Sequence, residues 1–396
     1  MHKNQTEYIP QWETGMNAVY LIACALHGTV PNLTRIGDLD EVKRYCAQHS
    51  VTAMVTMALE DAWKTMPPED PAVMTPWKQA KDKAIRKNIL LNAERARILA
   101  YLDSIGCWYL PLKGSFLQFD YPKFGMRQMS DNDILFDAAL AEQVRDFMVG
   151  SGYKVEAFGQ HNHDAYLKAP VYNFELHRNL FSPQFDENIA AYYGNIRALM
   201  VKDADNKCGY HLKPEDFYVY MTAHAYKHFS NCGTGIRTLV DGYVFLDRHR
   251  DLDWDYMERE LDKLGLLEYE RQCRSLSEKL LGEPCWDILL TDEEGEFLSQ
   301  FLGAGTYGTR QQMVKNTLNR MAKTEQSSGF LLKLRYFWER VFPPMDFMVL
   351  WEPKLSEKPW LLPYYQMKRL LQGLIKKPKQ LLAEFMAMAK YNRNKE

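Results

Sequence analysis

Leu112-Lys113-Gly114-Ser115 and, after a spacer, Ser130-Asp131-Asn132-Asp133-Ile134-Leu135-Phe136 are the stretches on which the fold turns. The apolar run Cys107 to Leu112 reads as a short strand that Gly114 ends, with a short helix opening at Ser115. A glycine-serine turn between strand and helix leaves backbone N–H groups unpaired and suits the phosphates of a nucleotide. The second stretch reads as a strand entering a sheet. Its two-residue period puts the carboxylates of Asp131 and Asp133 on one face. Paired carboxylates are the hard oxygen ligands that Mg²⁺ selects. A phosphate turn with paired acids is minimal equipment for metal-assisted phosphoryl or nucleotidyl transfer.

Val171 to Leu180 supplies a third acid. Its alternation turns Tyr172, Phe174 and Leu176 toward a core and puts Asn173, Glu175 and His177 on the other face. If this strand lies beside the aspartate strand, Glu175 joins Asp131 and Asp133 around one metal site, where the three carboxylates need a cation to stay ionised. Ala138 to Gly150 reads as a helix between them, and Tyr153 to Phe158 as a return strand.

Around this core the pattern is helical. Pro76 to Ser104 reads as a long helix with an N1 proline and Gly106 past its end, buried along Ile85, Ile89, Ala93, Ala96 and Leu99. Met66-Pro67-Pro68-Glu69-Asp70-Pro71 reads as a linker, and Phe217 to Phe229 and Leu239 to Asp247 as a later helix pair. The expected architecture is α+β, a small mixed β-sheet core with extensive helical N- and C-terminal flanks. The expected divisions are residues 1–75 helical, 76–185 the α+β core, 186–300 a helical region closing over the site, and 301–396 helical with a basic tail.

The 396 residues exceed what one core usually serves. A formal net charge of -2 argues against wholesale nucleic-acid wrapping, which needs a strong basic excess. The seven scattered cysteines form no Cys-x-x-Cys pair, which suits a reduced, cytoplasmic setting. Ala18 to Leu26 is too short to span a membrane, follows acidic Glu7 and Glu13, and reads as a buried helix rather than a signal peptide.

Taken in order, Lys113-Gly114-Ser115, Tyr121, Gly125-Met126-Arg127 and Asp131-Asn132-Asp133-Ile134-Leu135 resemble the signature of an uncharacterised bacterial nucleotidyltransferase family within the DNA polymerase β-like superfamily. The similarity continues through Phe174-Glu175-Leu176-His177, His224-Ala225-Tyr226-Lys227-His228 and Gly235-Ile236-Arg237-Thr238-Leu239-Val240-Asp241, and into Val341-Phe342-Pro343-Pro344 and Leu362-Pro363-Tyr364. The resemblance implies a small mixed sheet with helices on one face. It implies Asp131 and Asp133 as ligands of Mg²⁺ (Mn²⁺ as the alternative), Glu175 as the third acid, and Gly114 with Ser115 on the β- and γ-phosphates. The partners it implies are an NTP and an unidentified acceptor. Asn132, polar between the acids, is expected to hydrogen-bond at a sheet edge.

Arg127, with a bidentate fork, and Lys113, a point charge, are the candidate cations for the triphosphate. His224 and His228, four apart, share a helix face and read as helix packing or substrate contact, with Arg237 and Asp241 pairing on the next helix. His161-Asn162-His163-Asp164 lacks a second ligand set and reads as a polar loop. The tail sets Lys368, Arg369, Lys376, Lys377, Lys379, Lys390 and Arg393 against Leu370, Leu371, Leu374, Ile375, Leu381, Leu382, Phe385 and Met386. It reads first as a solvated helix docked on its own core, and second as a weak contact with an anionic membrane surface. The rival functional readings are a non-catalytic nucleotide-binding protein and a membrane-surface accessory of a surface-polysaccharide system.

Overall fold

The computed structural model describes residues 11–160, 162–324 and 329–391. Helices α1 (Trp12–His27), α2 (Leu39–Gln48), α3 (Thr52–Trp63) and α4 (Met74–Ser104) precede strand β1 (Tyr109–Pro111) and the one-turn α5 (Gly114–Leu117). Then come β2 (Asn132–Phe136), α6 (Ala141–Gly150), β3 (Lys154–Ala157), β4 (His163–Lys168) and β5 (Tyr172–His177). After α7 (Glu187–Tyr192) and the hairpin β6 (Met200–Lys202) and β7 (Tyr210–Leu212), the chain is helical. It runs through α8 (Pro214–Asn231), α9 (Arg237–Arg248), α10 (Trp254–Lys263), α11 (Leu267–Leu281) and α12 (Asp292–Ala304). The last helices are α13 (Arg310–Thr324), α14 (Gly329–Val341), α15 (Met345–Trp351), α16 (Leu362–Lys376) and α17 (Pro378–Lys390). The fold is therefore α+β with helical flanks.

The main sheet runs β1-β2-β5-β4-β3. β2 and β5 are parallel and every other neighbouring pair is antiparallel. Ile134, Phe136, Tyr166, Phe174 and Leu176 point to one face, where Leu91, Ile98, Leu102, Val144 and Met148 of α4 and α6 cover them. Leu135 points to the opposite face and joins Leu110, Leu112, Phe217 and Tyr220 in a second cluster. α1 buries Asn17 through Ala25. No helix among the described residues is long and apolar enough to cross a membrane.

Two expectations change here. The buried stripe of α4 is Trp77, Ala84, Asn88, Leu91, Arg95, Ile98 and Leu102, whereas Ile89 lies 54% exposed. Polar residues occupy that stripe because the loop and strand beneath need partners. Asn88 donates to the Arg127 carbonyl (2.8 Å) and accepts from the Met129 N–H (3.0 Å). Asn132 is not at a sheet edge: β2 is flanked by β1 and β5. Its side chain is fully buried, accepting from Arg95 Nη1 (2.8 Å) and donating to the Leu91 carbonyl (3.3 Å). A buried amide satisfied on both sides fixes the register of α4 against the strand that carries the acids.

The chain divides into two compact units, residues 1–227 with 234–306, and residues 228–233 with 307–396. The second is built around Val314, Leu318, Leu332, Tyr336, Ala387 and Tyr391 and a smaller cluster of Met348, Leu355 and Tyr365. Its buried Glu384 accepts from Tyr336 Oη (2.8 Å) and pairs with Arg340 and Arg310. Paired this fully, a buried carboxylate is satisfied and fixes how the helices dock.

Candidate active site

Parallel pairing sets Asp133 directly opposite Glu175 and Leu135 opposite His177. In a pleated sheet, directly opposed residues share a face, so both acids leave the sheet on the side away from α4 and α6. Antiparallel pairing then brings His163 of β4 opposite His177. Asp131 stands just before β2, where alternation turns it to the face of Asp133.

Asp133, 3% exposed, is the hub. One carboxylate oxygen lies 2.7 Å from Lys113 Nζ and 2.8 Å from His177 Nε2. Burial works against its charge, but Lys113 and His177 hold it well below the usual carboxylate range. Burial would also lower Lys113, and Asp133 keeps it above its ordinary value. Lys113 holds φ 49°, a backbone conformation rare outside glycine. The strained turn is what delivers its ammonium to Asp133.

For Glu175 the same Lys113 counts for less. Burial first, then the charges of Asp133 and Asp131, push its carboxyl up to about 7. Asp131 is raised by burial and by Asp133, with Lys113, Arg237 and Arg127 opposing. Asp131 and Glu175 therefore both feel the charge of Asp133, an arrangement that added positive charge would relieve.

Two histidines complete the cluster. His163, Glu175 and His177 offer ligand atoms that all lie within 4.8 Å of one another. Each imidazole Nε2 stands 3.7–3.8 Å from the same Glu175 oxygen. The buried Nδ1 atoms of both have no hydrogen-bond partner among the described residues. Burial lowers His177 and brings His163 down to about 4, so both rings are neutral near pH 7, the form that binds metals. The residues fit a divalent cation, with a nitrogen side that Mg²⁺ does not require and Mn²⁺ accepts more readily.

The polar-loop expectation for His163 and Asp164 is thereby corrected. Both belong to β4, and Asp164, fully buried, pairs with Arg178 at 2.9 Å. His161 lies outside the described residues. His163 was hidden because its partners are twelve or more residues away and only strand pairing unites them. The alternation His163, Ala165, Leu167 was the one local signal, and a mixed one.

Arg127 is 8% exposed and forms a bidentate pair with Asp241 at 2.8 and 2.9 Å. Tyr121 donates to the same carboxylate at 2.7 Å. Asp241 was expected to pair with Arg237; it pairs across the fold with Arg127 instead, and Arg237 donates to the Gln128 carbonyl at 3.1 Å. Gly114 is needed at this point: a Cβ there would meet Arg127 Nη1 at 2.0 Å. Ser115, 5% exposed, donates to the Leu112 carbonyl at 2.6 Å. The amides of Ser115, Phe116 and Leu117 close onto Leu112 and Lys113. The turn thus offers fewer open donors than its sequence promised, because α5 is a single tight turn.

Over the acid face comes α8. Tyr220, His224 and Lys227 share its face at spacings of four and three. Burial and then Lys113 lower Lys227, while Glu175 and Asp133 oppose that shift. Lys227 is a cation of the site that sequence reasoning passed over, although it sits between the two histidines singled out. His228 is exposed and belongs to the second unit.

Two acids on adjacent parallel strands, a third just before one of them and a lysine-bearing turn beside them suit a nucleotidyl-transferring class of enzyme. The chain belongs to a family described as uncharacterised nucleotidyltransferase, whose pattern matches residues 37–282. No curated protein and no solved structure matches it.

Proposed function

We propose that this enzyme moves a nucleoside monophosphate from an NTP to a hydroxyl or phosphate acceptor, with pyrophosphate leaving. The observation that carries the reading is the shared face of Asp131, Asp133 and Glu175 next to Lys113. The carboxylates of Asp131, Asp133 and Glu175 would hold Mg²⁺ or Mn²⁺, with His163 and His177 as further donors. Such an ion, when bound, neutralises the triphosphate and polarises the reacting phosphorus. The protein's own part is positioning. The Asp133–Lys113 contact keeps one ammonium fixed where the turn meets the acids, and Lys227 brings a second from α8. Glu175, at about 7, can take the acceptor's proton at neutral pH. Arg127 acts through Asp241, holding the Gly114 turn against α9 rather than reaching out to phosphate.

Seven free thiols, three of them buried, suit a reducing cytoplasm. Incubation with each α-labelled NTP, Mg²⁺ or Mn²⁺ and a cell extract should label an acceptor. Asp131→Asn with Asp133→Asn should abolish that label in a folded protein. Undiminished labelling by the folded double variant defeats the reading.

A further inference from the structure

Residues 307–396 carry seventeen Lys and Arg against seven Asp and Glu, a net +10, so the preceding 306 residues carry -12 and the overall -2 hides a strong polarity. The same ninety residues hold sixteen of the twenty-four exposed large apolar side chains among the described residues. Basic charge and exposed apolar surface therefore coincide in one unit.

The exposed residues are ordered. On α16, Tyr364, Met367, Leu371, Leu374 and Ile375 recur at three- and four-residue steps, all at least 45% exposed. They form one stripe, opposite the buried Tyr365. On α14, Phe330, Leu334 and Trp338 do the same, between the core residues Leu332 and Tyr336. Leu382 and Met386 of α17 stand four apart and exposed, while Glu384 and Ala387 face inward. These helices belong together: Tyr336 of α14 bonds Glu384 of α17, and a Cβ on Gly373 of α16 would lie 3.5 Å from Leu381 of α17. Exposed Lys376, Lys377 and Lys379 cluster where α16 hands over to α17.

We propose that α14, α16 and α17 form a membrane-docking surface that lies on an anionic lipid bilayer without crossing it. The chemistry selects this occupant. Leu, Ile and Met have no use against a phosphodiester backbone, whereas they enter the acyl boundary of a bilayer. Trp338, Trp360 and Tyr364, each at least 60% exposed, are the amphipathic aromatics that settle at headgroup level. The lysines match the negative potential of acidic headgroups. A patch of this size left bare on a water-soluble monomer would be an association hazard.

The test uses the full chain and sedimentation with vesicles of phosphatidylcholine alone or with one quarter phosphatidylglycerol. Binding should favour the anionic vesicles by about tenfold or more and weaken steeply with salt. Met367→Gln, Leu371→Gln and Ile375→Gln together should cut binding about tenfold, as should Lys376→Glu, Lys377→Glu and Lys379→Glu together. Both sets alter only exposed positions, and circular dichroism with a melting curve checks that each folds. Equal partitioning to neutral vesicles, or full binding by either folded variant, overturns the proposal. So does a stable dimer that ignores vesicles and falls apart with the apolar set, which would give the surface to a second copy. Binding to a fluorescent RNA that the charge set abolishes and the apolar set spares, without vesicle binding, overturns it in favour of nucleic acid.

Discussion

Replacing Glu175 by Gln isolates the electrostatics of the site. In the folded protein its carboxyl titrates at about 7, against an ordinary value of 4.5. The fold thus binds that proton more tightly than the unfolded chain does. Its contribution to stability is full below about pH 4.5 and is lost as the pH rises through 7. At ~1.4 kcal/mol per pH unit the separation corresponds to about 3 kcal/mol by pH 8. The side chain is 25% exposed, and solvent screening reduces this to about 1–3 kcal/mol. Glu175→Gln keeps the shape and removes the charge. In chelator at pH 8 the variant should therefore be the more stable protein, melting roughly 2–6 °C higher for a unit of this size. At pH 5 the advantage should shrink toward zero. Added Mg²⁺ or Mn²⁺ should stabilise the parent at pH 8 more than the variant, while nucleotide transfer by the variant falls about 10²-fold or more. Thermal melts across pH 5–8, with and without cation, make the measurement. A variant less stable than its parent in chelator at pH 8, or a difference indifferent to pH, refutes the reasoning.

Asp241→Asn leaves Arg127 buried beside a neutral amide and should cost about 3–5 kcal/mol in urea unfolding; a stable variant with only a raised KM for NTP would return Arg127 to direct nucleotide binding. Gly114→Ala should displace Arg127 from that pair, since its Cβ would lie 2.0 Å from Nη1, and lower stability by about 1–3 kcal/mol; a neutral melting curve would show that the turn can yield. His163→Ala should weaken the response to Mn²⁺ more than to Mg²⁺ in a metal titration of transfer activity, because it removes a nitrogen donor and no oxygen; an equal loss with both ions counts against His163 as a ligand.

Local sequence settled what local forces settle. The alternation of Tyr172 to His177 determined which side chains face the core, since a strand's period is fixed at two, and Phe174 and Leu176 are indeed buried opposite Glu175. The apolar run in α1 and the length of α4 followed likewise from composition and helix signals. What the chain could not disclose locally are pairings that span its length. α4 presents Asn88 and Arg95 inward, against hydrophobic periodicity, because Arg127, Met129 and Asn132 bring polar groups that must be satisfied where water is excluded. Arg127 finds Asp241 across 114 positions, and His163 joins Glu175 and His177 only once β4 pairs with β5. The tail's apolar side chains promised an inward face. Tertiary packing uses Tyr365, Glu384 and Ala387 for that and leaves Leu371, Ile375 and Met386 outside, because the second unit's small cores have no room for a second face on these helices.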